Sequence, residues 1–132
     1  MTTATMNLID EPTGDMANLT NVVCKFVLVR WKDCIFLVIG PVAQFPYHAN
    51  LLEKFCDSNQ LPCSWASRPT LLEVYDQALQ VRGGGWAEVQ PKLKKIIFKG
   101  RSTAYGKFVR DDLQAVLEQH HLCDGFLPQI VS

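Results

Sequence analysis

The chain has 132 residues, of which 48% are hydrophobic and 20% charged, with 13 Lys and Arg against 13 Asp and Glu. That length fills one hydrophobic core and not two. The balanced charge gives no sign of an extended basic face, so neither nucleic acid nor a membrane surface is expected as a partner, while a few cations gathered in one cleft remain compatible with it.

Residues 1–20, MTTATMNLIDEPTGDMANLT, mix Thr, Asp, Gly and Pro without a sustained period and read as a flexible N-terminal arm ahead of a single domain over 21–132. NVVCKFVLVRW is rich in Val and Phe and carries Lys25 among apolar neighbours, the composition of a strand. Trp31-Lys32-Asp33 is a reversal and CIFLVIG a second strand, so a β-hairpin is expected over 22–39, stopped by Gly40 and Pro41. Leu51, Leu52, Phe55 and Cys56 then share one helical face, which predicts about three turns of helix from the His48 region to Asp57-Ser58-Asn59.

LPCSWAS reads as a short strand, and Thr70-x-x-Glu73 as a capping box ahead of Leu71, Tyr75, Ala78 and Leu79, predicting a helix over about 69–80 that RGGG, residues 82–85, brings to an end. LKKIIFKG is a strand and GRSTAYG a glycine-bounded turn. Val109, Leu113, Val116 and Leu117 mark a last helix ending at His120 or His121, and FLPQIVS closes the chain as an edge strand, where Pro128 is tolerated. The order β-β-α-β-α-β-α-β, without strict alternation or repeat, predicts an α+β fold, a mixed β-sheet with helices packed on both faces.

The five cysteines, Cys24, Cys34, Cys56, Cys63 and Cys123, are odd in number and lack zinc-type spacing, so reduced thiols in a cytoplasmic protein are expected, with no metal. The absence of a leader and of an apolar run near the roughly 20 residues of a membrane span points the same way. RGGG lacks the Lys-Ser/Thr of a phosphate-binding loop, which argues against nucleotides. His120-His121 beside Cys123 suits a helix C-terminus better than a metal site, and Trp31, Trp65 and Trp86 suit core and rim.

His48 draws attention because a core contact would be met by leucine. On a helix's first turn the positive end of the macrodipole disfavours imidazolium by ~0.3 to 1 kcal/mol, and a nearby Lys25 acts in the same sense. A neutral imidazole near pH 7 is what a general base must be. The amides around Ala49 and Asn50 at the same helix start form a natural phosphate cradle. In GRSTAYG, Gly100 and Gly106 permit tight turns whose successive N–H groups make an anion nest, with the Ser102 and Thr103 hydroxyls as donors and Arg101 directed at the anion or at water. Taken singly, each feature also has a plain explanation: a helix-start histidine bonded to a carbonyl, a snorkelling lysine, an ordinary loop.

Taken in order, CKFVLVRW, PYHANLLEKF, GGG and KIIFKGRSTAYG resemble the Janus/ocnus family, which includes phosphohistidine phosphatase activity, over most of residues 24 to 117. The resemblance implies a Janus-type fold and metal-independent hydrolysis of a P–N bond without cofactor. It implies a phosphohistidine-containing protein or peptide as partner and inorganic phosphate as product. The family's proton-accepting histidine of the YHA motif falls on His48, its phosphate-contacting strand lysine on Lys25, and its Ser-x-Ala phosphate loop on Ser102, Thr103 and Ala104. A non-catalytic Janus-like module binding phosphate or a phosphopeptide is the alternative. Two departures bear on the choice. A well-known member of the family carries arginines before YHA and directly after GGG, where this chain has Gly40-Pro41 and Trp86, leaving Arg68, Arg82 or Arg101 as substitutes. The stretch before GGG is also longer, and its expected helix should border the cleft.

Overall fold

The apolar run at the start of the expected hairpin lies mid-sheet in the computed structural model, which describes residues 2–9 and 20–131. In chain order the strands are β1 (Thr2–Asn7), β2 (Val22–Trp31), β3 (Cys34–Pro41), β4 (Cys63–Ser67), β5 (Leu71–Val74), β6 (Gln80–Gln90), β7 (Lys95–Lys99) and β8 (Leu127–Ile130), with helices α1 (His48–Ser58) and α2 (Arg110–Gln119). Six strands form one sheet in the order β1-β3-β2-β6-β7-β8, and β4 pairs with β5 in a separate hairpin. β1 runs parallel to β3 and β8 parallel to β7, while the three inner pairings are antiparallel, so the sheet is mixed.

Side chains alternate along a strand, and both faces of this sheet are covered. Phe26, Leu28, Ile35, Leu37 and Ile39 pack on one face with Leu113 and Val116 of α2. Val27, Val29 and Val38 pack on the other with Leu51, Leu52 and Phe55 of α1. Hence FVLV reads as an unbroken apolar run, each residue having a layer to face. The architecture is α+β, with one helix on each face.

Two expectations are corrected. Residues 2–7, read as part of a flexible arm, form an edge strand in register with β3 from Thr2↔Cys34 to Asn7↔Ile39; residues 10–19 of that arm lie outside the described residues. Side-chain anchors reinforce the pairing: Asn7 Nδ2 donates to Leu122 O at 2.7 Å, and His120 Nε2 donates to Thr3 O at 2.9 Å. The helix predicted over 69–80 is instead β5 followed by a turn. In β5 Leu72 and Val74 pack toward α1 while Leu71 and Glu73 face outward, a period of two that the helical spacing of Leu71 and Tyr75 obscured. Asp76 holds the following turn through Ala78 N to Oδ1 at 2.9 Å and Leu79 N to O at 3.1 Å. RGGG therefore ends no helix; it lies within β6, beside β2.

Candidate functional site

Lys25 and Trp86 are register partners on β2 and β6, and so share a sheet face. By alternation it is the face of Val27 and Val29, the one α1 covers. The chain enters α1 through Pro46 and Tyr47, the latter in extended conformation, and Tyr47 N donates to Asn50 Oδ1 at 2.9 Å. That bond fixes the helix start, and with it His48 as the first helical residue.

The His48 ring lies against β6, which is possible because residue 84 is glycine. A Cβ there would sit 3.0 Å from His48 Cδ2 and 2.4 Å from Phe26 O. Nε2 of His48 is 2.9 Å from the Gly85 carbonyl oxygen. A carbonyl only accepts, so Nε2 carries the hydrogen and the neutral ring keeps its lone pair on Nδ1. Burial lowers the His48 pKa below its ordinary 6.5; the Gly85 carbonyl opposes this and the Lys25 charge adds to it.

The ammonium of Lys25 donates to the Pro46 carbonyl and lies 4.7 Å from the centroid of the Trp86 ring and 5.6 Å from that of Tyr47. Both rings attract the cation, and partial burial lowers its pKa from 10.5. The GRSTAYG loop docks on the glycines of β6. Gly84 N donates to Gly106 O at 3.1 Å, and a Cβ on Gly83, at φ +82°, would sit 2.1 Å from Lys107 O. Only glycine admits a backbone that close in that conformation.

A cavity of about 550 Å³ opens between these elements. His48, Lys25 and Tyr47 line it beside Trp86; Arg101, Thr103 and Ala104 come from the loop, and Ser67, Thr70 and Leu71 from the β4–β5 hairpin. Four of the six residues expected at the site from sequence, His48, Lys25, Thr103 and Ala104, are thus brought together. The other two are placed differently. Ser102 is fully buried: its Oγ accepts from Tyr105 N at 3.1 Å, and its backbone exchanges bonds of 3.1 and 2.9 Å with Gly106. Its hydroxyl braces the loop instead of lining the cavity. The Ala49 methyl packs in the α1 core, so Ala49 can contribute only its amide, which like that of His48 lies in the first helical turn and lacks an intrahelical acceptor.

Of the candidate substitute arginines, Arg82 pairs with Asp112 at 2.8 Å and Arg68 lies over the Trp65 ring at 5.0 Å. Arg101 lines the cavity, without an ion pair among the described residues. The segment read as a helix does border the cleft, as a hairpin. Trp86, Tyr47 and Leu71 were not singled out as site residues from sequence; the register that sets Trp86 opposite Lys25 emerges only once RGGG is placed inside β6.

Tyr105 ties loop to hairpin. Its hydroxyl accepts from Leu72 N at 3.0 Å and is 3.4 Å from Leu72 O. Tyr105→Phe removes that acceptor from a strand amide, and a loss of about 1 kcal/mol in urea unfolding is expected. A larger loss of ligand affinity than of stability would locate the effect in the cavity wall.

No family model matches the chain, and no curated protein matches it. Among the described residues there is no group of three or more His, Cys, Asp or Glu placed to hold a metal, and no helix is long and apolar enough to cross a membrane.

Proposed function

We propose that the chain removes the phosphoryl group from phosphohistidine in a protein or peptide by metal-independent hydrolysis of the P–N bond, on a Janus-type fold. The observation that carries this reading is the His48 imidazole, kept neutral by burial and bound through Nε2 to Gly85, on the wall of a cavity that also presents the Lys25 ammonium. The order of the YHA, GGG and GRSTAYG motifs supports the same reading by resemblance.

In this mechanism Nδ1 of His48 takes a proton from water as the water oxygen attacks phosphorus in line with the leaving nitrogen. The P–N bond breaks with its electron pair on nitrogen, which is protonated from solvent. Phosphoryl transfer passes through a loose transition state, so the protein assists chiefly by placement and by charge on the equatorial oxygens. Lys25, the first-turn amides and Thr103 supply that charge and hydrogen bonding, with Arg101 at the rim.

The test is phosphate release from a phosphohistidine peptide with EDTA present. Turnover is expected, and Lys25→Ala is expected to lower kcat/KM about tenfold or more. The occupied Ser102 hydroxyl favours the second reading, a module that binds phosphate without reacting; phosphopeptide binding with no release would select it.

The pH profile carries its own signs. His48 must be unprotonated, so kcat/KM falls as pH drops through a pKa below 6.5; Lys25 must be charged, so it falls again as pH rises through a pKa below 10.5. A bell-shaped profile is expected. An acid limb centred above 6.5 would remove His48 as the base.

A further inference from the structure

The cavity exceeds what a phosphoryl group needs. Its volume of about 550 Å³ falls in the range of sites that enclose most of an organic ligand. The groups suited to the anion are Lys25, Arg101 and Thr103, with the His48 ring beside them; much of the remaining wall is apolar, from Trp86, Tyr47 and Leu71. That wall has to face whatever carries the phosphoryl group.

Trp86 is the fixed part of it. The indole rises from a central strand and packs over Gly100, where a Cβ would come within 3.0 Å of Cδ1. The Lys25 ammonium stands 4.7 Å from the indole centroid while donating to the neutral Pro46 carbonyl. A phosphoryl dianion is a stronger partner than that carbonyl. When the ammonium turns to it, the aromatic surface it shielded is free for a second occupant, and a flat ring gains most from such a surface.

We propose that Trp86, aided by Leu71, is the specificity-determining residue of this site and selects a phosphoryl group carried on a planar ring over one carried on a flexible aliphatic chain. Within the phosphatase reading, on which this inference rests, it assigns the site to the imidazole of phosphohistidine in preference to phospholysine.

Binding and turnover test it separately. Phenyl phosphate and methyl phosphate, both stable, are titrated calorimetrically into the intact protein and into Trp86→Leu. Within the unsubstituted protein phenyl phosphate is expected to bind about tenfold tighter than methyl phosphate, and in Trp86→Leu the ratio is expected to fall toward one. Leu71→Ser, at a partly exposed hairpin position, is expected to reduce the ratio by a smaller factor and serves if Trp86→Leu fails to fold. Equal affinities in the unsubstituted protein, a ratio unchanged by these substitutions, or no binding of either compound overturns the inference. Release of phosphate from N-phosphoimidazole and from a phospholysine peptide then reads the catalytic claim. A ring preference in binding without any turnover leaves Trp86 its role and sinks the phosphatase; turnover that favours phospholysine sinks the selection and leaves the phosphatase.

Discussion

Replacing His48 by alanine is expected to lower kcat on a phosphohistidine peptide by about 10²- to 10⁴-fold, the range a positioned general base supplies. The change leaves Lys25 and the loop amides in place, so substrate affinity should fall far less than turnover. Stability gives a second readout with a different sign structure. Because burial lowers the His48 pKa in the fold, the unfolded chain binds more protons than the native one between the lowered value and 6.5. In that window the native protein loses stability as pH falls. His48→Ala abolishes this dependence, and it also leaves the Gly85 carbonyl without its donor, at a cost of about 1 kcal/mol at neutral pH. Urea unfolding at pH 7.5 and below pH 6 measures both. A variant with turnover intact ends the assignment of His48 as base, whatever its stability.

Much of the site was legible because its parts follow from local rules. The strand-length apolar runs of NVVCKFVLVRW and CIFLVIG, broken by Trp31-Lys32-Asp33, specify a hairpin, and a lysine inside such a strand must have somewhere to put its charge. The apolar stripe Leu51, Leu52, Phe55 and Cys56 fixes the helix that starts at His48. These two elements already hold His48, the proposed base, and the Lys25 ammonium.

What escaped the sequence is decided by tertiary neighbours. LLEV has helical spacing with Tyr75 and strand spacing within itself, and the strand prevails because Leu72 and Val74 find the α1 surface while Tyr105 caps the Leu72 amide from 33 positions away. Thr2–Asn7 has too few apolar residues to declare a strand; its pairing depends on an open β3 edge and on anchors from the far end of the chain, His120 and Leu122. Ser102 follows the same logic. A serine between glycines is as well suited to bracing a turn as to holding an anion, and only the position of Tyr105 N decides between them.

Glycine 84 makes the strongest link between fold and site, and Gly84→Ala is expected to destabilise the protein by about 3 kcal/mol, the upper part of the usual overpacking range. The added methyl carbon would lie 2.4 Å from the Phe26 carbonyl oxygen and 3.0 Å from His48 Cδ2. The first neighbour is backbone of the adjacent central strand and has little room to retreat, so the strain falls partly on the imidazole. A displaced ring loses the Gly85 bond that holds Nε2, so turnover on a phosphohistidine peptide should fall along with stability. Gly106→Ala isolates the conformational part of the effect, since a Cβ there meets nothing within 4 Å although φ is +84°. Its cost should be about 1 kcal/mol, from the left-handed backbone alone. If chemical unfolding ranked Gly106→Ala as the more damaging of the two, the contact between β6 and the His48 ring would not be the constraint that made this position glycine.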